Sequence, residues 1–296
     1  MSAISTAGPA RAGAPPAAPR SSHRRRWLTR PGVYFVALVV VAVTVVPFLY
    51  VIVGGFRTTA QLNTNPAGLP HPWVWDNYQA VLTSSFFWRS LGNSAIIAVV
   101  ATGLSVGLGA MASFALSRYT FPGRDGLFVF FLTGLLFPFN AAVLPLFLLL
   151  QRLGMLDNLM GVAIPEAAFS LPFTILILRP FMRAVPGELE DAAVVDGATK
   201  PQFFLRVLIP LARPALITVG ILAFVTSWNN YLAPLVLLSS QSHFTLPLAV
   251  ATFQSEYTQN TAAVFAFTAL SMVPALAVFV FAQRRLVGAL TGALKA

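Results

Sequence analysis

The chain contains no cysteine, which excludes disulfides, thiol catalysis and thiolate-held metals. It is nearly as poor in charge: Asp, Glu, Lys and Arg make up 9% of its 296 residues, and only 9 of these are acidic. Its three histidines, His23, His71 and His243, lie in separate segments outside the apolar stretches. There is no G-x-x-x-x-G-K-[ST] phosphate loop and no H-E-x-x-H metal pair. The chain therefore carries no ATPase centre of its own, and neither a catalytic residue nor a metal site is expected. The short alternating segments that build a membrane β-barrel are also missing.

What is present is hydrophobic sequence. With 57% hydrophobic residues and a mean hydropathy of +0.76, the composition is too apolar for an ordinary soluble domain. About 20 apolar residues in helical conformation cross a hydrocarbon core. Six stretches meet that length: 33–54, 91–116, 127–150, 158–178, 214–238 and 261–282. Only the fourth holds a charged residue, Glu166. The predicted fold class is thus an all-α integral membrane protein with six transmembrane helices, surrounded by membrane lipid.

Basic residues set the orientation, because they are retained on the cytoplasmic side. If the chain starts inside, every lysine and arginine except Arg57, Arg89 and Arg152 falls in a cytoplasmic segment. Both termini are then cytoplasmic. The formal net charge of +10 follows from the same rule. The basic residues are spread over loop ends rather than gathered with aromatics on one surface, so no nucleic-acid partner is expected.

Residues 1–30, rich in Ala, Pro, Ser and Arg, have no apolar periodicity and are expected to be a disordered cytoplasmic tail, with Arg24–Arg26 as a retention signal. A cleaved signal peptide is the rival. Stretch 33–54 is long for that and lacks a small-residue cleavage site, which favours a membrane anchor. The outward loop 55–90 carries Trp73, Trp75, Tyr78 and Trp88, suited to interfacial anchoring or to ligand contact.

Segment 186–214 is polar and amphipathic although it lies between two membrane spans. It reads as two short helices about a turn. Pro186 and Gly187 precede the first, Asp196 and Gly197 end it, Thr199 caps the second, and Pro210 and Pro214 close the unit. The paired Ala192 and Ala193 leave room for another surface to approach closely.

Several polar residues lie inside the spans. Glu166 must face protein or a water-filled cavity, as a structural acid or as part of a substrate path. Trp228, Asn229, Asn230 and Tyr231 form a polar and aromatic cluster suited either to helix–helix hydrogen bonding or to sugar contact. Asn140, with Pro138 and Pro145, interrupts the third stretch, and Pro274 the last. Such prolines serve a gate or a static bend. Gly103, Gly107 and Gly109 with Ser105 suggest close helix packing.

Segment 186–214 resembles the signature loop of ABC-importer permease subunits: Glu-Ala-Ala, three residues, Gly, nine residues, then Ile-x-Leu-Pro. In register stand Asp191, Ala192, Ala193, Gly197, Val207, Ile209 and Pro210. Asp191 is one methylene shorter than the usual Glu. A literal Glu166-Ala167-Ala168 is a decoy, since it lies in an apolar span and has Pro172 at the Gly position. Further resemblance, to the carbohydrate-uptake type of permease, comes from N-Y-x-x-V (Asn77, Tyr78, Val81), L-G-N-S (residues 91–94), L-S-R-Y (residues 116–119), L-G-M-L-D-N (residues 153–158), W-N-N-Y (residues 228–231) and G-A-L-T-G-A-L-K (residues 288–295).

The resemblance implies the type-I importer architecture with a cytoplasmic coupling-helix loop, in a bacterial plasma membrane. It divides the chain into a tail (1–30), a first helix with its outer loop (31–89), a permease domain (90–283) and a C-terminal tail (284–296). It also implies a homologous second permease subunit, two ABC ATPase subunits that hold ATP and Mg, and an extracytoplasmic solute-binding protein. No cofactor is expected on this chain. Glu190 and Asp191 are expected to contact the ATPase, Ala192 and Ala193 to allow close docking, Gly197 to make the turn and Pro210 to end the segment. The function implied is passage of a sugar or oligosaccharide by alternating access, with Asn140, Glu166, Trp228, Asn229, Asn230 and Tyr231 as pathway candidates. An ion-driven secondary transporter and a membrane scaffold or receptor are the alternatives from other classes.

Overall fold

The computed structural model describes residues 31–256 and 260–293. The expected tail 1–30, its Arg24–Arg26 cluster and Lys295 lie outside the described residues. Two units are distinguished, Met1–Leu49 and Tyr50–Ala296. Of the first, residues 31–49 are the opening turns of α1 (Pro31–Gly54), whose large apolar side chains are exposed over most of their surface. A helix apolar all round is suited to lipid.

In the second unit α2 (Thr59–Thr64) and α3 (Asp76–Thr83) are short and lie in the loop after α1. The motif residues there act as straps. Asn77 donates to the carbonyls of Gly55 and Arg57, both at 2.9 Å, and the Tyr78 hydroxyl donates to that of Ile52 at 2.7 Å. Burial pushes the Tyr78 hydroxyl up to about 12, so it remains a donor.

The bundle is built on α4 (Ser85–Arg118), α7 (Leu159–Ala184) and α10 (Ile209–Trp228), which pack against one another. Alpha4 and α7 approach closely at Gly109. A Cβ there would lie 2.5 Å from Thr174 Cγ2, so only glycine fits. One turn away Ser105 and Thr174 share a buried hydrogen bond of 3.0 Å, worth about 0.6–2 kcal/mol between membrane helices. Gly103 and Gly107 differ from the packing expectation: a Cβ on either would meet nothing within 4 Å.

Among the described residues five helices are long and apolar enough to cross a membrane, or six if one bent pair counts as a span. The bent pair is α5 (Arg124–Thr133), continued by a 3₁₀ turn at Gly134–Leu136, and α6 (Phe139–Arg152). The interruption expected within stretch 127–150 is a sharp break, at which the axis turns by 100°. Pro138 is the cause: it lacks an N–H, and its ring would strike the carbonyl of Gly134 in a continuous helix.

The stretch 214–238 is also broken. Alpha10 ends at Trp228 and α11 (Leu232–Leu237) starts afresh. Pro234 would clash with the Asn230 carbonyl in a continuous helix, and asparagine side chains compete with backbone partners.

The opposite correction applies to Pro210 and Pro214, which do not close the loop. Lys200–Trp228 is one rod of 29 residues, made of α9 (Lys200–Phe203), a π-helical turn Phe204–Leu208 and α10. The wider π turn one step before Pro210 relieves the clash with the preceding carbonyls that would otherwise end the helix. Alpha8 (Glu188–Val195) completes the coupling segment, α12 (Leu246–Glu256) follows α11, and α13 (Thr261–Ala293) continues through Pro274 and beyond the expected end of the last span.

The two ends of the bundle differ in charge. Arg118, Arg124, Arg179, Arg183, Lys200, Arg206 and Arg213 belong to the end bearing α8 and α9, whereas Arg57, Arg89 and Arg152 belong to the other. At that other end Asn93 donates to the carbonyls of Ser242 (2.9 Å) and Phe244 (3.0 Å), and the Asp157 carboxylate accepts from the backbone N–H groups of Ser239 and Ser240, both at 3.0 Å.

Candidate functional site: a coupling segment and a membrane cavity

The coupling segment folds as its residues require. Alpha8 ends in a glycine cap: Gly197 N–H donates to Val194 (2.9 Å) and Ala198 N–H to Ala193 (2.8 Å), with Gly197 at φ 78°. A Cβ on Gly197 would meet open space, so the requirement is conformational rather than steric. Thr199 caps α9 in a reciprocal box with Gln202, whose side chain accepts from Thr199 N–H at 2.7 Å. Phe203 and Leu208 are buried with Ala212, Leu178 and Met182, and Ala193 packs against this core. The outer side of α8 stays open: Asp191, Ala192 and Val194 are exposed, and Val195 is 86% exposed.

Glu190 behaves differently from Asp191. It turns inward to an ion pair of 3.9 Å with Arg118, the last residue of α4. Arg118 also donates to the Val185 carbonyl at 2.7 Å and lies 6.0 Å from the Phe203 ring centre. One side chain thus ties the ends of α4 and α7 to both short helices. Beside it Lys200 Nζ sits 4.5 Å from the Tyr119 ring centre. Pro210 lies past the π turn on the continuing rod.

At the far end of the same rod is a cavity of about 330 Å³. Its walls include Phe139 and Phe169, whose rings meet edge to face at 4.9 Å. Glu166, only 6% exposed, forms its floor. Asn230 Nδ2 donates to Glu166 Oε1 at 2.9 Å, and the Ser227 hydroxyl donates to Oε2. Asn230 Oδ1 in turn accepts from Ala233 N–H at 3.3 Å, so the amide starts α11 as well as holding the acid. Ser170 and Thr226 complete the polar lining.

The pathway candidates are therefore separated. Glu166 and Asn230 share the cavity. Trp228 does not line it: the indole is 7% exposed, stacked on Phe224 at 5.6 Å and packed in the core with Tyr78 and Phe267. Asn229 donates back to the Val225 carbonyl at 2.8 Å from an exposed position. Tyr231 and Asn140 are exposed and outside the lining, although Phe139 next to Asn140 belongs to it. Sequence reading missed Arg118, Ser227, Phe139 and Phe169. Arg118 stood inside L-S-R-Y, and Ser227 directly precedes W-N-N-Y, but both phenylalanines are hidden among 25 in the chain.

Comparison with known proteins agrees with this geometry. The family model for the inner membrane component of binding-protein-dependent transport systems matches residues 103–291. The diacetylchitobiose uptake system permease protein NgcG of Streptomyces coelicolor is 35% identical over 251 residues, covering 84% of this chain and 83% of that protein. The arabinooligosaccharides transport system permease protein AraQ of Halalkalibacterium halodurans is 34% identical over 269 residues, 90% of this chain and 94% of that protein. Among solved structures, a chain of a bacterial ABC transporter involved in import of the acidic polysaccharide alginate superposes with a TM-score of 0.74 at 26% identity, covering 90% of this chain and 99% of that one. An all-helical membrane bundle with this segment and these relatives has one placement: the chain belongs to the binding-protein-dependent transport system inner membrane component family, the permease subunits of ABC importers.

Proposed function

We propose that the chain is one of two homologous membrane subunits of a bacterial ATP-driven importer of a di- or oligosaccharide, with both termini cytoplasmic. Two ATPase subunits hold ATP and Mg and dock on α8, and a solute-binding protein delivers sugar at the opposite end. The observation that carries the reading is the coupling segment: an exposed tip of Asp191, Ala192 and Val195 on a base clamped by Arg118.

Closure of the ATPase dimer pushes on the tip. Because Arg118 joins α8 to the ends of α4 and α7, the push moves these helices as a body rather than bending a loop. From Phe203 to Ser227 the rod spans about 36 Å at helical rise, so a displacement at α9 reaches the cavity lined by Glu166 and Asn230. This is rigid-body switching between two packed arrangements.

The test is reconstitution. Affinity-tagged chain, expressed with the genes beside it, is expected to co-purify with an ATPase, and vesicles are expected to accumulate diacetylchitobiose or an arabinooligosaccharide only with ATP and the binding protein. Accumulation driven by an ion gradient without ATP would make the chain a secondary carrier. Assembly without uptake under either condition would make it a scaffold.

A further inference from the structure

We propose that the cavity floored by Glu166 is a glycosyl-contact site belonging to this subunit, built for an uncharged, hydroxyl-bearing sugar unit and unfavourable to uronate or sulfonate sugars. The inference rests on the importer reading above. It goes beyond that reading by assigning the ligand class to residues of this chain.

The composition of the cavity is the first argument. Phe139 and Phe169 offer apolar faces, and a sugar ring presents C–H surfaces that pack on such rings while its hydroxyls seek partners. The volume of about 330 Å³ lies within the usual range of small-molecule sites.

The second argument is the unused hydrogen-bonding capacity. Each Glu166 oxygen accepts one bond from within the chain, from Asn230 or from Ser227, and a carboxylate has about four lone-pair positions. Sugar hydroxyls are donors able to fill the others. Asn230 Nδ2 retains a second N–H, and among the described residues the hydroxyls of Ser170 and Thr226 have no hydrogen-bond partner. Four polar groups, from α7, α10 and the break after α10, therefore face one space with capacity to spare. A packing role for Glu166 needs only Ser227 and Asn230 and leaves the free hydroxyls and the paired rings without purpose.

The third argument is charge. Among the described residues the cavity lining contains Glu166 and no lysine, arginine or histidine. An anionic sugar entering it would lose its water against an acid with no compensating cation. The selectivity is thus against a negative charge, and discrimination of this kind comes from an unfavourable contact as much as from a favourable one.

The absence of native cysteine allows a direct test in the intact importer, with any cysteines of its other subunits replaced. Thr226→Cys, on the exposed side of the lining, is treated with a cationic and an anionic methanethiosulfonate in the presence and absence of the sugar that drives uptake. Ser170→Cys is the second position should the first fail to assemble. The carried neutral sugar is expected to slow modification several-fold, while a mannuronate oligosaccharide gives no protection. The ratio of cationic to anionic reaction rates is expected to fall about fivefold or more when Glu166→Gln is added, since one charge is removed from a poorly screened site. Equal modification with and without the carried sugar would overturn the site, and an unchanged ratio in Glu166→Gln would overturn the role of its charge. Either result leaves ATP-dependent uptake by the unmodified assembly intact, so failure here is separate from failure of the importer reading.

Discussion

At single residues, two positions give opposite tests of what a side chain is for. Gly197 is needed for its backbone: φ is 78°, and the space beyond it is open. Gly197→Ala is therefore expected to cost about 1–2 kcal/mol at the turn and to lower sugar uptake. Gly197→Asn should recover most of the uptake, because Asn tolerates the left-handed region; equal losses for Ala and Asn would mean that space, not φ, matters. Asn230 is needed for its amide, which holds Glu166 and starts α11. Asn230→Ala is expected to destabilise the solubilised assembly by about 1–3 kcal/mol, and Asn229→Ala by under about 0.5, as read from thermal unfolding. The sequence pointed to this pair of amides but not to their different roles. Periodicity placed them about 100° apart on one helix, whereas they stand at a break, where one amide turns back to Val225 and the other reaches α7. The role of Asn230 follows from a partner 64 residues away, which no local pattern encodes.

Between elements, single side chains hold the two ends of the bundle. Arg118 joins four segments at the coupling end. Arg118→Gln is expected to leave the protein in the membrane and basal ATP hydrolysis measurable while abolishing most of its stimulation by sugar-loaded binding protein, with Arg118→Lys intermediate because a single ammonium cannot reproduce the fork of contacts. Full stimulation in Arg118→Gln would show that α8 needs no clamp. At the other end, bonds from the side chain and backbone of Ser240, then from Ser239 and His243, hold the Asp157 carboxyl well below the usual carboxylate range. A lowered folded value means the strap contributes stability above the unfolded value, about 3.9, and loses it as pH falls through the lower folded value. Asp157→Asn is accordingly expected to lower the melting temperature at pH 7 and to approach the parent protein as the medium is acidified below about pH 4. A constant difference across that range would place the effect elsewhere. The two short helices of the coupling segment were legible from Gly197 and Thr199, which act through their own backbone neighbourhood. The effects of proline were legible only in part: an interruption at Pro138 was expected, but Pro234 also stands at a helix break, whereas Pro210 follows a π turn flanked by the buried Phe203 and Leu208 and Pro214 lies inside the continuing helix.

For the whole molecule, hydrophobic length made the spans and the fold class readable, because lipid imposes the same demand on every crossing segment. The cavity was not readable, since it arises where a bent pair, α7 and a broken α10 meet. Sidedness follows from charge in both descriptions. The end with α8 and α9 carries the arginines and lysines from Arg118 to Arg213 other than Arg152, so it is expected to face the cytoplasm. The cysteine-free chain makes this measurable with single substitutions at exposed sites, Asn63→Cys in α2 and Val195→Cys at the tip of α8. In intact cells a membrane-impermeant maleimide is expected to label Asn63→Cys at once and Val195→Cys only after the membrane is opened. In inside-out vesicles the order should reverse, and there the ATPase subunits should shield Val195→Cys until they are stripped away. Labelling of Val195→Cys from outside intact cells would invert the molecule, remove the ATPase from α8, and with it remove the mechanical path from Arg118 along the rod to Glu166.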